Sequence, residues 1–241
     1  MADSSEMPPV PSGMRAPNRE EMETFLREGI AMMRRQDTRD LLKSKSCTAP
    51  GLKLIELQRA GWDKLGIDQD IGCSYLENVE KVCPGDSELI LLRSDFVREA
   101  QRSFIRALED KRPAKLETKK KMPREVIIAF FDSCNTKMDL PETHLRLKKH
   151  IEKTGKMPNT VIIEMQRDML EVHGWERDHG CNMLSNISKD FPNDQELFGR
   201  FEGWRQKATQ TCMTVIKKHQ VAGGGMPAGL MEANPEMEKL Q

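Results

Sequence analysis

Apolar residues recur at steps of three and four along most of the chain, and no segment alternates with period two over a useful length. That spacing lines apolar side chains along one helix face, so the pattern predicts an all-α protein. The first helix begins at Asn18, a residue suited to capping, with Glu21 three residues on as its reciprocal partner. Met22, Phe25, Leu26, Ile30 and Met33 form its apolar stripe. A short polar helix is expected around residues 37–45. Thr48 and Pro50 open a third helix carrying Leu54, Ile55, Leu57, Trp62 and Leu65, and Gly66 ends it by taking the left-handed conformation of a helix stop. Asp68 or Asp70 starts a fourth helix, with Leu76, Val79 and Cys83 on its buried face. Asp86 caps a fifth and longest helix, which carries Leu89, Phe96, Val97, Ala100, Phe104 and Leu108.

The series recurs. Residues 55–108 align with 163–216 without a gap, and sixteen of these 54 positions are identical. They include Gly66/Gly174, Asp70/Asp178, Gly72/Gly180, Cys73/Cys181, Asn78/Asn186 and Asp86/Asp194. A gapless match fixes helix and loop lengths together, which is the mark of an internal repeat. Upstream the match is looser: "NREEMETFLREGIAMMRR" and "PREVIIAFFDSCNTKM" hold equivalent places only if gaps are allowed. The expected organisation is two tandem copies of a helical-bundle unit of about five helices each, over residues 19–110 and 123–220. Between them, residues 111–122 are a basic linker or an extension of the long helix. Residues 1–18 and 221–241, rich in Pro, Gly and polar side chains, are expected to be disordered tails.

One frame stands out in the repeat. "GIDQDIGC", from Gly66 to Cys73, and "GWERDHGC", from Gly174 to Cys181, share Gly-x-acid-x-Asp-x-Gly-Cys. A calcium loop with Gly72 at its sixth position would need acids where Ile67 and Asn78 stand, so the ligands are missing. His173, His179 and Cys181 are metal-type ligands, yet their first-copy equivalents are Leu65, Ile71 and Cys73. The frame therefore reads as a structural joint built twice. Arg59 and Arg167 lie on the helix before it, each with an acid four residues on, Asp63 and Glu171. Each Arg is expected to fold across the joint to Asp70 or Asp178, while Gly72 and Gly180 let two helices approach closely. If that pair is partly buried, removing its acid should cost about 3 kcal/mol. Cys73 and Cys181 read as small packing residues rather than reactive thiols.

Composition narrows the function without naming it. The chain has 241 residues with 38 basic and 38 acidic side chains, so no global field gathers nucleic acid. No run approaches the roughly 18 apolar residues of a membrane span, and the acidic, Pro-rich N-terminus does not read as a secretory signal. Six cysteines without a Cys-x-x-Cys motif suggest reduced thiols and a cytoplasmic setting. Sixteen methionines and one tyrosine describe a core of long unbranched side chains that favour helices. No Gly-rich phosphate loop, metal-protease motif, nucleophile elbow or catalytic carboxylate pair occurs, so no catalytic, cofactor or metal residues are expected. The leading expectation is a non-enzymatic adaptor that presents two related protein-binding surfaces. The alternative is a carrier that holds an apolar small molecule, such as an acyl chain, between Met-rich helices.

Overall fold

A computed structural model describes residues 10–221 and 223. The tail readings for residues 1–9, 222 and 224–241 lie outside the described residues. The described residues form helices and no strand; one isolated bridge pairs Glu117 with Trp175. The protein is all-α, and among the described residues no helix is long and apolar enough to cross a membrane. The chain divides into two compact units, Met1–Asp110 and Lys111–Gln241.

Unit 1 contains α1 (Arg19–Arg34), α2 (Gln36–Lys43), α3 (Pro50–Lys64), α4 (Gln69–Glu77), α5 (Val79–Val82) and α6 (Ser87–Asp110). The Asn18/Glu21 capping box starts α1: the Glu21 N–H bonds the Asn18 side chain, and the Asn18 N–H bonds the Glu21 carboxylate. The longest packing seam joins α1 to α6. Phe25 stacks on Trp62 with ring centroids 3.9 Å apart and touches Phe96 at 5.5 Å. Met22, Leu26, Leu42, Leu54 and Leu89 close the core around these rings. Residues 10–18 carry no helix, yet Val10 and Ala16 pack on this core, Pro17 is buried, and Arg15 donates to the Leu65 carbonyl at 2.9 Å.

Unit 2 contains α7 (Arg124–Asp139), α8 (Pro141–Thr154), α9 (Asn159–Val172), α10 (Arg177–Ser185), α11 (Ile187–Asp190) and α12 (Gln195–Val221). Here the longest seam joins α7 to α12. Phe131 lies 6.3 Å from Trp204 and 5.8 Å from Phe201, over buried Met138, Met165 and Met169.

Among the described residues each unit has six helices where the sequence predicts about five. The difference lies at Asn78 and Asn186, where one expected helix breaks into two. Each Asn side chain turns back to a carbonyl four residues earlier, Ser74 at 2.9 Å and Asn182 at 2.7 Å. Such a side-chain bond competes with continuation of the helix. The starts of α4/α10, α5/α11 and α6/α12 are each 108 residues apart, whereas those of α1/α7 and α2/α8 are 105 apart. Six extra residues in α8 relative to α2, and a shorter connection after it, account for the gapped upstream alignment.

Residues 111–122 do not extend α6, which ends at Asp110; most of them are exposed, yet the segment is tied down within unit 2. Glu117 exchanges backbone bonds with Gly174 at 2.7 Å and Glu176 at 3.0 Å. Its carboxylate accepts the N–H groups of Thr118, Lys119 and Lys120, and these bonds, Lys119 and Lys120 first, hold it down at about 2. Met122 is buried, Lys121 reaches Asp190 at 2.6 Å, and Arg112 pairs with Glu171. The Glu117 backbone and the Met122, Lys121 and Arg112 side chains tie this run to the body of unit 2, while the Glu117 carboxylate folds the run on itself.

Candidate functional site

The repeated frame assembles a helix stop, a turn and a helix start. Gly66 and Gly174 take positive φ, 65° and 86°, at the ends of α3 and α9. In unit 1 the Ile67 N–H returns to the Trp62 carbonyl at 3.1 Å and the Gly66 N–H to Asp63 at 3.0 Å. In unit 2 Trp175 returns to Leu170 at 2.9 Å and Gly174 to Glu171 at 3.0 Å. This pair of bonds closes the last carbonyls of a helix on a left-handed glycine. Asp68 and Glu176 are the N-caps of α4 and α10: each accepts two backbone N–H groups of the next turn. The first acid of the frame is therefore the cap, which leaves the second free to turn outward.

Gly72 and Gly180 sit where α4 and α10 press on the preceding helix. A Cβ on Gly72 would stand 2.4 Å from the Trp62 ring, and one on Gly180 would stand 2.8 Å from the Leu170 side chain. Cys73 and Cys181 follow, half-buried. Burial raises the Cys73 thiol more than Arg59 and the Trp62 indole lower it, and burial likewise outweighs Arg167 at Cys181. Neither thiol is activated.

The structure brings Arg59 to Asp70, and Arg167 to Asp178 at 3.7 Å. The acids are 85% and 80% exposed, so the partly buried brace that would cost about 3 kcal/mol is corrected: exposed pairs contribute about 0–1 kcal/mol. The expected Asp63 and Glu171 partners go elsewhere as well. Gln69 donates to Asp63 at 2.7 Å, and Arg177, its counterpart, donates to Glu171 at 2.8 Å, Glu164 at 2.9 Å and Asp168 at 2.7 Å. The joint is thus tied at the position between the frame's two acids, with different residue types in each unit.

A second recurrent tie crosses each unit. Arg19 donates to Asp86 at 2.9 Å, and Arg124 to Asp194 at 3.1 Å, with Glu88 and Glu196 as further acceptors. Asp86 and Asp194 also cap α6 and α12 through the N–H groups of Leu89 and Leu197. The Leu89 N–H and then Arg19 hold Asp86 below the usual carboxylate range, and Arg124 and then the Leu197 N–H do the same for Asp194. The two arginines stand 105 residues apart rather than 108, so a gapless alignment does not pair them.

Beside the joint of unit 1 lies an open groove of about 520 Å³ between α3, α4 and α6. Phe96 and Leu76 form part of its floor, and Ile55 and Val97, 50% and 40% exposed, stand at its walls. Arg59, Arg93, Asp70 and Glu77 supply the charge. Ile55 and Val97 belong to the apolar set predicted for their helices, but each directly follows a buried residue, Leu54 or Phe96, and so points about 100° away from it. That surplus beyond one stripe is the signal for the groove. In unit 2 the positions of Arg93, Phe96 and Val97 hold Phe201, Trp204 and Arg205, with Trp204 fully buried and Phe201 packed on Phe131.

The histidines do not gather around Cys181. His173 shares a hydrogen bond of 2.8 Å with Ser133, and burial pushes it down to about 4. His179 bonds the Lys120 carbonyl at 2.8 Å and stacks on Trp175. Among the described residues no group of three His, Cys, Asp or Glu side chains is placed to hold a metal ion. Comparison with protein-family models, curated proteins and solved structures finds no match to the chain.

Proposed function

We propose that the protein is a non-enzymatic helical adaptor built from two copies of one unit, of which unit 1 presents the principal protein-binding surface. The observation that carries this reading is the groove beside Ile55 and Val97, an exposed apolar surface. Protein-binding surfaces combine an apolar centre with a polar, charged rim, and this groove has both. The common helix starts after the joint and the matching stop-and-cap bonds support the two-copy reading. Cytoplasmic placement, expected from the cysteine spacing, is part of the same proposal. The carrier alternative draws less support. Met22, Met33, Met138, Met165 and Met169 are buried as core filling, and no methionine lines the groove.

The test is a photo-crosslinking amino acid at Ile55, with adducts from native lysate identified by mass spectrometry of proteins and lipids together. Covalent adducts to one protein segment are expected. Adducts dominated by a lipid or another small molecule would favour the carrier and remove the adaptor.

A further inference from the structure

We infer that the occupant of the unit 1 groove is an amphipathic helix that seats apolar side chains against Ile55, Phe96 and Val97 and points a carboxylate at Arg59 and Arg93. This rests on the groove being the binding surface and adds the chemistry of its partner.

Shape argues for an elongated occupant. Leu52, Ile55 and Arg59 are spaced by three and four, so they form one outward stripe of α3. Leu52 is 70% exposed, lies outside the groove's own lining, and borders a second hollow of about 380 Å³ with Leu41 and Cys47. The stripe therefore runs about 10 Å along the helix, two turns, with Leu52 and Ile55 as its apolar part and Arg59 as its charged end, which is the reach of a helix laid in a groove rather than of one compact ligand.

Charge selects the helix. Arg93 has no ion-pair partner among the described residues. Arg59 spends one terminal nitrogen on Asp70 and also lines the groove. A carboxylate entering the groove would pair with these guanidinium groups through charge-assisted hydrogen bonds. Glu77 at the wall leaves room for one cation on the partner, not for a purely acidic one. Unit 2 has Thr160, Phe201 and Arg205 where unit 1 has Leu52, Arg93 and Val97, so it offers neither the apolar stripe nor the free cation at those positions.

The experiment displays a library of helical peptides against the full chain. Leucines are fixed at i, i+4 and i+7, and the positions between them are drawn from Glu, Lys and Gln. Enriched peptides should carry Glu. Arg93→Glu should weaken them at least about tenfold, and Glu→Lys in the peptide should restore binding to that variant. Ile55→Asp, at an exposed position, should remove binding altogether. Peptides lost with Ile55→Asp but indifferent to Arg93→Glu would overturn the acidic preference and leave the groove standing. Peptides indifferent to Ile55→Asp would overturn the groove itself. A library with no enriched peptide, whether or not oleate binds in its place, would overturn the helical occupant.

Discussion

The two joints are built from one frame and packed on different residues. In unit 1, Gly72 lies on Trp62, whose ring is sandwiched against Phe25. In unit 2, Gly180 lies on Leu170, and the large aromatic is Trp204 of α12, where unit 1 has Phe96. A tryptophan has in effect changed sides of the core between the units. The exchange is coupled to the surface. Where α6 has Phe96 with Arg93 and Val97 beside it, a groove is open; where α12 has Trp204 with Phe201 and Arg205, those positions are packed or polar. The joint holds the helices in place, and the residues next to it decide whether the resulting hollow is available.

The largest expected difference between the units is in acid. His173 of unit 2 stands where unit 1 has Leu65, and it stays neutral down to about 4 against an ordinary 6.5. Across that window the unfolded chain takes up a proton that the folded unit refuses. Stability is therefore full above pH 6.5 and falls as the pH drops towards 4, by about 3 kcal/mol at most. Hydrogen exchange read separately in the two units should show unit 2 loosening over this range. His173→Leu, which installs the unit 1 residue, should flatten the response; Ser133 keeps its bond to the Phe130 carbonyl.

Next comes the glycine contact. Gly72→Ala drives a methyl into a stacked indole that cannot rotate away, at a cost of about 1–3 kcal/mol. Gly180→Ala meets the branched end of Leu170, which can turn aside, and alanine favours the helix. Its cost should stay below about 1 kcal/mol. Equal melting shifts for the two variants would erase the proposed asymmetry.

The smallest contrast separates the two ties at the unit 2 joint. Arg177→Met breaks three ion pairs and should cost about 1 kcal/mol, whereas Asp178→Ala, with its exposed acid, should cost no more than about 0.5 kcal/mol. A double-mutant cycle with Glu171→Gln would show whether the first tie is coupled.

Much of the fold is legible in the sequence because it follows from local rules. The Asn18/Glu21 box, the left-handed Gly66 and Gly174, and the caps at Asp68, Asp86 and Asp194 follow from residue type and spacing alone. The Asn78 and Asn186 breaks are less legible, because an Asn in mid-helix betrays its back-bond only when the geometry is known. The Arg19 and Arg124 ties join residues about 70 apart, and nothing local marks them. Gln69 and Arg177 hold one role with different chemistry, which an identity-based comparison of the two aligned segments passes over. The groove was half visible: Ile55 and Val97 exceed the stripe their helices need, but only packing shows that this surplus faces one hollow.

The most direct test writes unit 2 into unit 1. Arg93→Phe combined with Val97→Arg gives α6 the residues of α12 at these positions, and neither side chain is part of the buried core. Read through the crosslinker at Ile55, the double variant should lose at least about nine-tenths of its protein adducts while its melting curve stays within a few degrees of the parent. Undiminished adducts from a correctly folded variant would contradict the claim that this groove is where the protein meets its partner.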